Sequence, residues 1–251
     1  MFGLFRKKPK PETLPEKFAR LFVVHAELVA ATRALIAELA RQDQPALLIA
    51  NHSHLVADLA AIAVMRWRLG EDPRAAIAEA HAAYRELIAC RDRADPGHAL
   101  PMDAIAGITD WDLVHALFWL AGTPEPVVMQ FPRLEQERYF AYSRFLLLRV
   151  TGAEVPAALA AAVAQFDSGD GLVDKDFRDK LALLDGDGDA QALVGRIAGY
   201  WPIRRRNGFY QSSAPLPAGF DASNDLSVDW QLACILKLKG LEVAGPHGWR
   251  W

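Results

Sequence analysis

Asn51-His52-Ser53-His54, followed by Asp58, is the densest set of chemically capable side chains within an apolar stretch of this chain. On a helix, His54 and Asp58 stand four residues apart on one face, the spacing at which a carboxylate orients an imidazole or shares a metal ion with it. A metal-dependent helical enzyme using His52, His54 and Asp58 is therefore one reading. It needs ligands from neighbouring helices, because the chain has neither an HExxH motif nor paired ExxH motifs and a metal centre takes about four donors. The competing reading keeps these histidines in or near the core, with their polar atoms satisfied by neighbours. Asp112 and His115 repeat the theme at a three-residue spacing, without a second such pair on a predicted helix.

Other chemistry finds less support. Asp185-Gly186-Asp187-Gly188-Asp189 begins like a calcium loop, but Ala190 stands where the loop needs glycine and Arg196 where a bidentate glutamate closes the cage. The segment reads as a solvated turn, and Gly169-Asp170-Gly171 as a loop. No glycine loop of phosphate-binding type follows a strand. Cys90 lies beside Arg91 and Arg93, cations that lower a thiol pKa, yet a lone cysteine in an alanine-rich helix usually packs. Ser212 and Ser213 lack the elbow of a nucleophilic serine.

Charge is distributed more tellingly. Residues 167–189 hold eight aspartates against Lys175, Arg178 and Lys180, a balance of −5 in a chain whose net charge is −3. Such a run is either a solvated face or an electrostatic partner surface, since opposed potentials speed association and fix register. The second option nominates Asp167, Asp170, Asp174, Asp176, Asp185, Asp187 and Asp189 as partner-binding residues. Arg204-Arg205-Arg206 is either their intramolecular mate, a phosphate-facing spot, or a helix end favoured by the dipole.

Helices must position all of these groups. The 251 residues are 52% hydrophobic, with alanine and leucine filling the interior runs, which favours helix on propensity and on pattern. From Pro15 to about Arg41, apolar residues recur every three or four positions, with His25 and Thr32 the polar members of the stripe. A second helix runs from Pro45 to Leu69 and closes at Gly70; Asp72-Pro73 launches a third, to about Arg93. These three predict an antiparallel stack. Thr109 to Asp112 resembles a capping box opening a short helix that ends at Gly122. Further helices are expected from about Arg133 to Val150, Pro156 to Gln165 and Ala190 to Arg206, the last kinked or broken at Pro202. The final helix, within Phe220–Val243, has Ser227 as its N-cap, lysines in its last turn, Gly240 as its stop, and Trp230 on its buried face. The fold class expected is all-α: a single-domain multi-helix bundle, partly solenoid-like in its antiparallel helix pairs, over residues 14–251, behind a flexible basic leader at 1–13.

The near-neutral balance and pI near 6.2 speak against a general nucleic-acid binder. Cys90 and Cys234 are the two cysteines, with neither a disulfide framework nor a CxxC knuckle. The leader carries Arg6, Lys7, Lys8 and Lys10, but Pro9 and Pro11 interrupt it before any apolar run of signal-peptide length. A cytoplasmic location without membrane insertion is the expectation. The helix-rich chain also allows an adaptor or scaffold using the 208–223 loop and the tail tryptophans Trp249 and Trp251 for docking.

Asp225-Leu226-Ser227-Val228-Asp229-Trp230, followed by an alanine-containing apolar helix and Lys239-Gly240-Leu241, resembles the C-terminal helix of some all-helical immunity proteins of bacterial polymorphic-toxin systems. The resemblance covers about 25 residues and transfers no binding residue. It implies a non-enzymatic protein that binds and neutralises a cognate protein toxin, without a cofactor. The acidic run would then supply the contact surface.

Overall fold

The computed structural model describes residues 13–42, 44–94, 111–126, 138–166, 169–206 and 229–241. Nine helices and no strands occur among them: α1 (Leu14–Arg41), α2 (Pro45–Leu69), α3 (Arg74–Ala94), α4 (Trp111–Leu120), α5 (Arg138–Thr151), α6 (Ala157–Phe166), α7 (Leu172–Asp185), α8 (Ala190–Arg206) and α9 (Trp230–Leu238). The chain is all-α, and successive helices pack in pairs: α1 on α2, α2 on α3, α5 on α6, α7 on α8.

Local chemistry sets the boundaries. Thr13 caps α1 through a reciprocal box in which its hydroxyl accepts from the Glu16 amide and the Glu16 carboxylate accepts from the Thr13 amide. Pro15 occupies the first turn, where its missing N–H costs nothing. α2 stops at Gly70, whose φ of 78° is the left-handed conformation that glycine enters freely. Asp72 then accepts the Arg74 amide as α3 begins.

One buried cluster draws side chains from all nine helices, with Ile49, Val56, Ala63, Leu87, Ala116, Ala141, Ile197 and Ile235 fully enclosed. Phe18, Leu21 and Met65 form a smaller cluster between α1 and α2. Aromatic rings fix the geometry at both ends. Tyr84, on α3, meets Trp111, His115 and Phe118 of α4 at tilted or edge-on angles, and Tyr142 of α5 stacks flat on Phe177 of α7 at 3.9 Å. α2 is long and apolar enough to cross a membrane by length and composition, with a window of mean hydropathy 1.5. Half of that window is buried against the rest of the chain, as in a core helix.

Three elements differ from expectation. The last helix starts at Trp230 with Asp229 as its cap, accepting the Leu232 amide at 3.1 Å. Ser227 lies outside the described residues, as do Thr109, the 1–12 part of the leader, the 208–223 loop and both tail tryptophans. α8 has the expected bounds, Ala190–Arg206, and is not broken at Pro202. The largest difference is α7, a 14-residue helix inside the stretch that the sequence presented only as an acidic run. Its buried positions Phe177, Leu183 and Leu184 follow helical spacing among the aspartates.

Candidate partner-binding surface

The acidic run divides into an interior half and an exposed half. Asp174 is 1% exposed: it accepts from Arg138 Nη1 at 2.9 Å, from the Tyr142 hydroxyl at 2.9 Å and from the Gly171 amide at 3.0 Å. A Cβ on Gly169 would stand 2.3 Å from its carboxylate, so the loop before α7 needs glycine for this approach. Asp176 is 2% exposed and lies 2.9 Å from the ammonium of Lys180, one turn along α7. Asp174 and Asp176 thus correct the sequence-based surface: their charges are spent inside the protein, where desolvation demands a partner.

Lys180 is fully enclosed, and it ties three helices together. Its Nζ donates to the Gln231 carbonyl at 2.9 Å and lies 2.8 Å from Asp229, both at the start of α9; the Gln231 amide in turn donates to Ser143 of α5 at 2.7 Å. At the other end of α9, Lys237 donates to the carbonyls of Trp119 and Leu120 at the close of α4. These carbonyls lie in the last turn of α4, where a cation suits the helix dipole, and that of Trp119 also accepts the Gly122 amide at 3.1 Å. Partial burial lowers the Lys237 pKa.

The exposed half sits where α7 turns into α8. Gly186 closes α7 at φ 85°, Asp189 caps α8 by accepting the Gln191 and Ala192 amides, and Asp185 meets Arg149 of α5 at 2.5 Å. Asp187 lies between them, exposed and without a side-chain hydrogen bond or ion pair among the described residues. Beside the turn is an open cleft of about 240 Å³, lined by Ala182, Leu183, Ala190 and Leu193 and rimmed by Asp187, Lys239 and Leu241. Leu241, on that rim, is 42% exposed, and Leu238 of α9 is 46% exposed. Asp170 stands apart at the start of α7, fully in solvent and 3.8 Å from Arg178. Asp167 and the side chains of Arg204–Arg206 lie outside the described part of the structure.

The histidines go to different places. His25 of α1, 6% exposed, donates from Nδ1 to Asp58 at 2.9 Å. His52 is buried, with Nδ1 3.8 Å from Glu86 of α3. Burial lowers its pKa, Arg93 adding to the effect and Glu86 opposing it. His54 is exposed. The structure therefore does not assemble His52, His54 and Asp58, and among the described residues no group of three or more His, Cys, Asp or Glu side chains could hold a metal ion. Helical geometry separates His52 from His54, since residues two apart lie on different faces, and Asp58 is engaged by His25.

Asp112 and His115 are separated by their partners as well. Asp112 pairs with the buried Arg144 at 2.6 Å; burial raises its pKa while the guanidinium works against that. His115, 2% exposed, lies 3.4 Å from the Tyr84 hydroxyl through Nε2. Burial, reinforced by the charge of Arg144, pushes its pKa down to about 3. His81 is 2.6 Å from Glu125 at the α3 surface, a pairing the sequence reading missed because the partners lie 44 residues apart. Both cysteines are buried, and burial raises the Cys234 thiol pKa.

Comparison with protein-family models, with curated proteins and with solved structures finds no match to this chain.

Proposed function

We propose that this chain is a non-enzymatic protein-interaction domain of the immunity type, which binds a cognate protein toxin and neutralises it. The observation that carries the reading is the juxtaposition of Asp187, exposed and without an ion pair among the described residues, with an open apolar cleft and the exposed Leu241 on its rim. Protein interfaces combine an apolar centre with a polar rim that steers the partner. Among the described residues, Asp170, Asp185, Asp187 and Asp189 remain of the nominated acidic surface, with Asp170 at the far end of α7 from the cleft. The likeness of the terminal segment to the C-terminal helix of helical immunity proteins supports the same reading.

Co-expression tests the proposal. Cells producing a toxic protein encoded beside this gene should grow when the chain is present, and the two proteins should copurify as a stoichiometric complex. Growth arrest that persists with the chain well folded and abundant would reject the reading.

A further inference from the structure

We infer that α1 and α2 form the contact face of a two-fold dimer, in which each helix lies antiparallel to the same helix of a second copy of this chain. The inference stands apart from the toxin reading and concerns the side of the α1–α2 pair turned away from α3. Arg33 of α1 reaches Glu79 of α3 at 2.8 Å, and His52 of α2 lies 3.8 Å from Glu86 of α3. A helix turns about 100° per residue, so Leu35 and His54, each two positions further on, point to the opposite side. Both are exposed. On α1 the same stripe holds Arg20, Val24, Leu28, Ala31 and Glu38, at intervals of three or four residues. On α2 it runs through Leu47, Ala50, Ala57 and Ala61. Single exposed leucines need no explanation, but Leu28, Leu35 and Leu47 together form an apolar patch of the kind that marks an interface.

Charge and register select the occupant. The α1 stripe is apolar between a cation, Arg20, and an anion, Glu38. Laid beside itself in parallel, it sets like charges together. Reversed, it sets Arg20 against Glu38 of the second copy at both ends, with Val24 against Leu35 and Leu28 against Ala31 between them. Glu38 bonds Arg41 and Gln42 of its own helix at the surface, contacts worth too little to withdraw it from a second cation. The reversal turns about a point beside Val29. Because His25 meets Asp58 across the pair, Val29, one turn along α1, stands level with His54, one turn back along α2. A single two-fold axis therefore serves both helices. On α2 it brings His54 beside His54 of the second copy and Leu47 beside Ala61, with Ala50 and Ala57 small enough for the backbones to approach. The product is a four-helix bundle whose contact is the same patch on both copies. Stripes with two different centres would point to another protein instead.

Sedimentation equilibrium of the full chain tests this. It should show monomer and dimer in exchange, with the dimer dominant at about 100 μM. Leu28→Glu should raise the dissociation constant about tenfold or more, and so should His54→Glu, which places two carboxylates at the axis; far-ultraviolet circular dichroism should stay unchanged. Arg20→Glu and Glu38→Arg should each weaken the dimer about tenfold, whereas the two together restore it to within about threefold, because the exchanged charges again oppose. His54→Cys should link two copies through a disulfide on air oxidation, since the native cysteines are buried. A chain that stays monomeric at that concentration, a dimer indifferent to both Leu28→Glu and His54→Glu, or a double charge variant no tighter than the single ones would each overturn the assignment. Loss of the dimer with Leu241→Asp, away from α1 and α2, would overturn it too by placing the contact elsewhere.

Discussion

His115 makes the stability of this protein depend on pH in a way that can be worked through quantitatively. Its imidazole is 2% exposed against Tyr84 and Phe118, and burial holds its folded pKa at about 3, against about 6.5 in an unfolded chain. The folded value is depressed, so the unfolded state takes up the proton first as pH falls. Stability from this group is complete above the unfolded pKa and declines from there towards pH 3. Between pH 7 and pH 5 the loss integrates to about 2 kcal/mol, large against a typical total of about 5–15 kcal/mol. His115→Gln keeps a polar partner for the Tyr84 hydroxyl and removes the titration. Urea unfolding of both proteins at the two pH values isolates the term, because His52, whose lowered pKa acts in the same direction, contributes to both. The wild type should lose about 2 kcal/mol more than the variant. Parallel losses would refute the argument, for they would mean that His115 charges in the folded state at little cost.

Three further outcomes follow from the interior. Lys180→Ala strands Asp176 and Asp229 without their ammonium and should cost about 3–5 kcal/mol in chemical denaturation; a cost below about 1 kcal/mol would mean that water reaches the site. Gly169→Ala forces the Asp174 carboxylate away from a Cβ 2.3 Å distant and should cost about 1–3 kcal/mol, read as a lowered melting temperature. Treatment with a chelator should leave the melting temperature unchanged, whereas a clear drop would return the metal reading to consideration, with ligands beyond those described.

Helix existence was legible in the sequence wherever apolar spacing and punctuation agreed. α2 needed only Pro45 and Gly70 to define its ends, and Trp230 is buried as the pattern of the last helix required. α7 was obscured because its charged residues include interior ones. Asp174, Asp176 and Lys180 count as polar in any periodicity, yet they occupy the buried face beside Phe177 and Leu184. The i,i+4 spacing of Asp176 and Lys180 was the available signal, although the second carboxylate lies on α9, beyond the reach of local reasoning. The histidines illustrate the same limit. His25 was visible as a polar member of an apolar stripe, but its pairing with Asp58 depends on how α1 and α2 align in space. The acidic surface was half legible: composition located it, and only burial could tell which aspartates reach solvent.

α9 gives the fold a defined order of completion. Helix pairs such as α1 on α2 and α2 on α3 join neighbours in the chain, contacts that form quickly because little loop entropy is spent. The bonds of α9 close spans of 51 residues to Lys180, 88 to Ser143 and 117 to Leu120. On a translating ribosome, then, Lys180 is synthesised well before Asp229 and Gln231 arrive to enclose it. A chain broken off before Trp230 leaves α4, α5 and α7 with an open seam containing an ammonium group in apolar surroundings, a defect that chaperones and proteases recognise as unfinished.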